Sequence, residues 1–260
     1  MKSARPGTCG KVVAHASALA TVAHTHSGRG AMRDLTRLDR RIYVMSDVDR
    51  YLGLRSGTAR RWIDGYRRGG RMYPPVIRES STQEESVSWG EFVEAQLLSE
   101  FRDAGVTLQR LRPAVQRLRC EFDTPYPLAT FKPLLDVAGR ELVMSIQQSV
   151  DLPRPLSLVV VRSGQAVLSN GAQGFVDRAD FGTPGTFVQR IRAVRNTEIV
   201  IDPEKAMGRP AVRAVPTEVL AEGFRAGESA AELASLYDLE LRLVEQALRY
   251  EMIQSNAASA

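Results

Sequence analysis

Between residues 41 and 78 the chain holds nine arginines, no lysine and three aspartates, a local charge of +6. A guanidinium is planar and presents paired donors that match a phosphate or the two acceptors of guanine. Such a density therefore points to a polyanion, with nucleic acid the commonest candidate. If residues 57–64 are helical, Thr58, Arg60 and Arg61 face outward, and Ser56 stands at the helix start. Arg60 or Arg61 would bridge guanine, while Ser56 and Thr58 would reach phosphate or a base edge. Arg67, Arg68 and Arg71 flank Gly69-Gly70 and suit phosphate contacts, which position a protein without reading sequence.

Catalytic chemistry has little to draw on. The three histidines, His15, His24 and His26, all precede the patterned part of the chain, and no cysteine or acidic cluster accompanies them as a metal site would require. A histidine-dependent triad has no partner downstream. Glu84-Glu85 reads as a solvated pair in a polar loop. Cys120, between Arg119 and Glu121 on an apolar helix, reads as a buried or half-buried structural thiol. The expectation is no enzyme, no cofactor and no metal.

The elements needed to present these arginines follow from the pattern. Ser46 is placed to cap a helix over Asp47–Leu52 with Val48, Tyr51 and Leu52 inward. Gly53 allows a tight turn, and Ser56 would cap a second helix, Gly57–Asp64, with Ala59, Trp62 and Ile63 inward. Two short helices joined by a glycine turn make a helix-turn-helix. Residues 65–73 form a hairpin through Gly69-Gly70, a wing beside it, and Pro74-Pro75 stops the strand.

Beyond residue 80 the pattern predicts an amphipathic helix from Ser88 to about Ala104, closed by Gly105. A second follows from Thr107 to Phe122, in which Pro113 marks a kink or a late start. One of these two helices is the expected dimer seam. Residues 134–143 read as a hairpin or strand pair, and 156–161, 165–168 and 187–194 as strands. Gly164, Gly171, Gly174, Gly182 and Gly185 read as turns. Thr217 and Ser229 are placed to cap Glu218–Arg225, with Val219, Leu220 and Phe224 inward, and Ala230–Leu236. Glu240–Ile253 carries Val244, Leu248 and Ile253 inward. Glu222, Glu228, Glu232, Glu240 and Glu245 lie on the outer face of this part.

The whole chain of 260 residues has 35 Lys+Arg against 30 Asp+Glu, a net charge of +5, and 43% hydrophobic residues, ordinary for a globular protein. No apolar run reaches the length of a membrane span. The fold class expected is α+β, mainly α, in a cytoplasmic chain. Residues 1–40 form a disordered basic extension, 41–124 a winged helix-turn-helix with following helices, and 125–197 a small β module. Residues 198–254 form a helical helix-turn-helix-like bundle and 255–260 a fraying tail.

The stretch Val44-Met45-Ser46-Asp47-Val48-Asp49-Arg50-Tyr51-Leu52-Gly53-Leu54-Arg55-Ser56-Gly57-Thr58-Ala59-Arg60-Arg61-Trp62 resembles the winged helix-turn-helix of MerR-type regulators. The stretch Leu97–Leu108, ending Phe101-Arg102-Asp103-Ala104-Gly105-Val106-Thr107-Leu108, resembles the helix-Gly-helix those proteins place after the wing. Val200-Ile201-Asp202-Pro203-Glu204, Gly208-Arg209-Pro210, Val215-Pro216-Thr217, Gly227-Glu228-Ser229 and Ala247-Leu248-Arg249-Tyr250 resemble a small domain of unknown function common in bacterial antitoxin-like proteins. Together they resemble the large VapB-type antitoxins of actinobacteria, whose partner is a PIN-domain ribonuclease toxin. The paired cysteines of metal-sensing MerR proteins are absent, so metal sensing is not implied.

Two functions follow from these readings. The first is an antitoxin that binds double-stranded operator DNA as a homodimer, neutralises its toxin through the acidic C-terminal part and autoregulates its operon. The second is a ligand-responsive transcriptional regulator without a toxin, in which the β module or the C-terminal bundle senses a small molecule.

Overall fold

The computed structural model describes residues 37–102, 105–130, 137–182 and 187–258. Most of the expected extension lies outside the described residues, with Cys9 and the three histidines, as does the start of the strand pair expected at 134. Residues 37–40 belong to the fold: Leu38 is buried, and the Asp39 carboxylate accepts a hydrogen bond from the Tyr126 hydroxyl at 2.7 Å.

The chain opens with β1 (Arg41–Val44), α1 (Met45–Tyr51) and α2 (Thr58–Ile63). Strands β2 (Tyr66–Arg68) and β3 (Arg71–Tyr73) follow, then β4 (Ser86–Ser88) and α3 (Trp89–Ser99). β1 pairs antiparallel with β4, Tyr43 opposite Val87, so entry to and exit from the arginine-rich unit lie side by side. Ser88 caps α3 in a reciprocal box. Its hydroxyl accepts from the Glu91 amide at 3.1 Å, and the Glu91 carboxylate accepts from the Ser88 amide at 2.8 Å.

The expected amphipathic helix is instead buried on every side from Trp89 to Leu98, and it ends at Ser99. Such a helix lies between two layers. The Phe92 ring stacks on Tyr43 at 4.6 Å, while the Trp89 indole N–H donates to the Val188 carbonyl at 2.8 Å, in the sheet described below. Burial within one chain also removes α3 as a seam between protomers. After a 3₁₀ turn at Leu108–Leu111, α4 (Arg112–Phe122) begins with Pro113 in its first turn, so the proline marks a late start rather than a kink. Cys120 on α4 is exposed, not buried.

Residues Val137–Ser149 are helix α5, where a strand pair was expected for 134–143. The helical spacing of Val143, Ile146 and Gln147, all buried, decides it. The Gln147 side chain accepts from the Leu158 and Val159 amides at 2.7 and 3.1 Å and donates to the Val159 carbonyl at 2.9 Å. It thereby holds the hairpin β5 (Val159–Arg162) and β6 (Gln165–Leu168). Helix α6 (Asn170–Val176) comes next and contains Gly171 and Gly174, which are therefore not turn residues. A Cβ at Gly171 would stand 2.8 Å from the Phe101 ring.

Strands β7 (Ala179–Phe181), β8 (Val188–Arg192), β9 (Ile199–Ile201), β10 (Ala211–Val212) and β11 (Val215–Pro216) form one antiparallel sheet in the order β11-β10-β9-β8-β7. The boundary expected at 197/198 falls inside this sheet, with Ile191 on β8 opposite Ile201 on β9. Residues 198–216 thus hold three short strands and a 3₁₀ turn at Ala206–Gly208, with no α-helix.

The last helices are α7 (Thr217–Arg225), α8 (Ala230–Leu236) and α9 (Leu241–Ala258). Ser229 caps α8, accepting from the Glu232 amide at 3.2 Å. Thr217 does not cap α7. It is buried at the first helical position, with its hydroxyl 2.5 Å from the Glu251 carboxylate. α9 extends into the expected tail as far as Ala258, with Leu243, Val244, Ala247 and Tyr250 buried. Phe224 and Ile253, expected inward, are exposed. Among the described residues, no helix is long and apolar enough to cross a membrane.

Helix α3 buries one carboxyl completely. Glu94 Oε1 accepts from the Leu128 amide at 2.8 Å, and Oε2 is buried with no hydrogen-bond partner. Burial pushes this acid from 4.5 up to about 8, against the lowering by the Leu128 amide and Arg119. A folded-state value above the unfolded one means the folded chain keeps a proton that the unfolded chain loses. Stability is therefore full below about pH 4.5 and falls as pH rises toward 8. Glu94→Gln should remove a slope of up to about 1.4 kcal/mol per pH unit across that window, read from denaturant melts at several pH values. Equal slopes in both proteins would show that Glu94 is ionised in the folded chain.

Candidate nucleic-acid interface

α1 and α2 pack through Val48, Ala59 and Ile63, all fully buried. The connection between them, residues 52–57, is longer than residues 53–56, which the expected helices Asp47–Leu52 and Gly57–Asp64 left between them. Neither expected serine caps its helix. The Val44 amide at the start of α1 donates to Asp47 at 3.0 Å, and Ser46 lies inside the helix. The N-cap of α2 is Gly57, at φ +79°, while Ser56 is exposed one residue earlier.

The cap of α2 comes from the other helix. Asp49 on α1 accepts from the Gly57 and Ala59 amides, both at 2.7 Å, and is 7% exposed. Burial raises the Asp49 carboxyl above its ordinary value, and the two amides offset only part of that. The carboxylate is held there by the fold, and it fixes the N-terminal end of α2. The sequence reading missed this residue. The available signal was an acid on the inward face of the first helix, within reach of an end whose own N-cap has no side chain.

Thr58, Arg60 and Arg61 are brought together on α2, with Ser56 just before it, and the two arginines have engaged donors. Arg61 donates to the Gly57 carbonyl at 3.2 Å and to the Thr58 hydroxyl at 2.9 Å. Arg60 is paired with Glu85, which places that carboxylate on the arginine-rich face rather than in a bare solvated loop. Both ion pair and back-bond are at the surface, where such contacts are worth roughly 0–1 kcal/mol and exchange readily for phosphate.

The hairpin follows α2 directly. Gly69 and Gly70 have φ of +56° and +75°, the left-handed pair that a two-residue turn requires. Tyr66 and Tyr73 stack across it at 4.7 Å. Gly65 is demanded by crowding: a Cβ there would sit 2.6 Å from the Tyr73 carbonyl. Arg67, Arg68 and Arg71 are all exposed on this hairpin, with Arg71 over the Tyr73 ring at 5.4 Å.

A buried ionic knot fastens the return segment. Arg78 donates to Glu91 at 2.7 Å, Asp64 at 2.9 Å, Thr82 at 2.8 Å and the Ser86 carbonyl at 2.7 Å. Burial alone would raise Asp64, but donors from Thr82, Ser81, Arg78 and Gln83 hold it below its ordinary value. The Val76 and Ile77 amides donate to the Trp62 carbonyl, and Arg112 on α4 donates to the Pro75 carbonyl at 2.8 Å. Hairpin, α2 and α3 are therefore held as one block. Among the described residues, no cluster of three His, Cys, Asp or Glu side chains is arranged to hold a metal ion.

These features define a helix-turn-helix protein of the DNA-binding class, with a distinct C-terminal part. Residues 41–115 match a family described as "Putative DNA-binding HTH domain", and residues 199–250 a family described as "Protein of unknown function (DUF433)". The chain belongs to the family of the uncharacterized protein Rv2308 of Mycobacterium tuberculosis, with 36% identity over 232 residues, 85% of this chain and 94% of that protein. It is also similar to the "Putative antitoxin VapB45" of the same organism, 29% identical over 186 residues, 67% of this chain and 77% of that one. The crystal structure of Rv2018 from Mycobacterium tuberculosis superposes with a TM-score of 0.66 at 25% identity, covering 82% of this chain and 99% of that one.

Proposed function

We propose that this chain is a cytoplasmic, non-catalytic, DNA-binding antitoxin of a type II toxin-antitoxin system. In this reading residues 41–115 form a MerR-like winged helix-turn-helix that binds double-stranded operator DNA as a homodimer. The C-terminal part captures and neutralises a PIN-domain ribonuclease toxin, and the chain represses its own operon. The observation that carries the reading is the pairing of α2, its N-terminus set by Asp49, with a hairpin whose three arginines are exposed on the adjoining element. A recognition helix lies in the major groove with its N-terminal residues on base edges, and a basic arm beside it can grip the backbone. The similarity to VapB45 supports the antitoxin part.

The test is a mobility shift of the full chain on its own upstream DNA, with and without the product of the neighbouring gene. A specific shift altered by that product supports the antitoxin. A shift indifferent to it supports the ligand-responsive regulator, and no shift overturns DNA binding. In the same assay, alanine at Arg67, Arg68 and Arg71 should reduce the salt slope by up to about 0.9 per lost phosphate contact, for operator and unrelated DNA alike. Alanine at Arg60 and Arg61 should instead erase the preference for operator. An unchanged slope would remove the hairpin from the interface, and unchanged preference would remove α2.

A further inference from the structure

The five-stranded sheet turns Ile191, Ile199, Ile201 and Val212 into the core, and its opposite face carries a cup of about 250 Å³. The pairing of β7 with β8 shifts register between Asp180 and Phe181, an irregularity of the kind that re-aims side chains, and Arg190 and Arg192 both line the cup. The register then runs from Arg192 across Val200 to Ala211, so the floor is small and apolar with a guanidinium at one end. Lys205 enters the same cup from the connection between β9 and β10. Ala206 and Met207, next in that connection, lie at φ +48° and +53°, a left-handed backbone that such residues keep only where their surroundings impose it. Here the buried Tyr43 hydroxyl donates to the Gly208 carbonyl at 3.0 Å, and the Gly208 amide donates to the Lys205 carbonyl at 2.8 Å.

The charges of the cup are only partly spent on one another. Arg190 lies 2.6 Å from Asp180, Arg213 pairs with Glu240 at 3.7 Å, and Glu198 pairs with Arg242. Arg192 reaches Asp180 only at 3.9 Å. Lys205 is the one lysine among the described residues, and it has no ion pair among them. Asp202 has none there either, and one of its oxygens accepts from the Glu204 amide at 2.9 Å. Two cations and one acid are thus left over an apolar floor.

We propose that this cup binds a small hydroxylated organic anion, its phosphate or carboxylate group held by Lys205 and Arg192 and a hydroxyl held by Asp202. Cations from two separate elements supply charge-assisted hydrogen bonds to one anionic group. The acid beside them repels a bare anion, so the ligand must bring a donor of its own, and a hydroxyl is one. The same acids, with Asp180 and Glu198, oppose a long polyanion laid across the face, so the cup is distinct from the arginine-rich surface of residues 41–78. The proposal rests neither on DNA binding nor on the antitoxin reading.

The test is titration calorimetry of the full chain with two probes, ribose 5-phosphate and gluconate, and with inorganic phosphate as the reference. Lys205→Gln and Arg192→Gln are compared with wild type, and far-UV circular dichroism confirms folding. Both side chains are exposed, so the fold should persist. A third variant carries Gln at Arg67, Arg68 and Arg71 together. The expected result is saturable binding of at least one probe, tighter than that of inorganic phosphate. Each single change should weaken it at least about tenfold, as for loss of a charged hydrogen bond, and the triple change should leave it intact. Binding of ribose 5-phosphate alone assigns a phosphate to the cup, and binding of gluconate alone a carboxylate. Saturable binding of neither probe overturns the proposal, and so does binding that both folded single variants keep at full strength. Inorganic phosphate bound as tightly as either probe overturns it by removing the hydroxyl. Binding lost only in the triple variant overturns it by moving the anion to the hairpin. No DNA enters the measurement, so its outcome is separate from that of the mobility shift.

Discussion

Asp49→Ala should lower operator affinity by one to two orders of magnitude while leaving the chain folded outside α2. The helix it caps has six residues, so most of its amides have no partner within the helix. The N-cap, Gly57, contributes no side chain, and Asp49 serves the Gly57 and Ala59 amides at 2.7 Å each. Loss of a cap costs about 0.5–2 kcal/mol, and burial of the abandoned amides adds to it. A helix this short has little cooperativity to absorb such a loss. Free protein then spends most of its time with α2 frayed, and the ordering cost reappears as weaker binding in proportion to the competent fraction. Asp49→Asn, which keeps one carbonyl acceptor, should lose less. Mobility shifts paired with amide exchange at residues 57–63 measure both effects. Affinity unchanged in Asp49→Ala would show that α2 is ordered without its cap, or is not in the interface.

Arg78→Met carries the largest expected loss of stability, about 3–5 kcal/mol, because it leaves Asp64 buried without its cation and Glu91 with only Arg41, 3.7 Å away. For a chain of this size that corresponds to a fall of roughly 10 °C in the melting temperature. The Glu84 carbonyl loses its donor as well, while the Ser86 carbonyl keeps only Arg41 at 2.9 Å, so residues 79–85 should become the first segment to open. Glu85 leaves with them, and with it the tether on Arg60. Replacing Arg78, Asp64 and Glu91 together by apolar residues should recover much of the loss, since breaking a buried pair is costlier than removing it. Calorimetry of the single and triple variants decides this. A single variant as stable as wild type would mean that the two acids take up protons at little cost.

Local signals were read correctly where the residues that make an element also decide it. Ser88-x-x-Glu91 and Ser229-x-x-Glu232 close reciprocal caps through their own side chains. Gly69-Gly70 closes its hairpin because two adjacent residues must adopt positive φ. Failures came where an element is decided by what covers it. The apolar pattern of 134–143 read as strands until the packing of Val143, Ile146 and Gln147 against β5 and β6 selected the helix. Residues 198–216 showed no strand signal strong enough to notice. β9, β10 and β11 are two or three residues each and are stabilised by their neighbours in the sheet, not by their own composition.

The division between sequence and structure is sharpest at the arginine-rich face. By itself the sequence determined that a basic helix-turn-helix and hairpin unit stands at residues 41–78, because charge, glycine and helical spacing are properties of adjacent residues. Only the tertiary structure decided what holds that unit in shape. Asp49 reaches eight and ten residues ahead to cap α2, Arg78 joins Asp64 to Glu91, and Glu85 tethers Arg60. It likewise put α3 in the interior, with one face on the aromatic rings of the first layer and the other on the sheet. Composition sets which groups carry charge and which avoid water. Which charge finds which partner, and which is left for another molecule, depends on distances that exist only once the chain has folded.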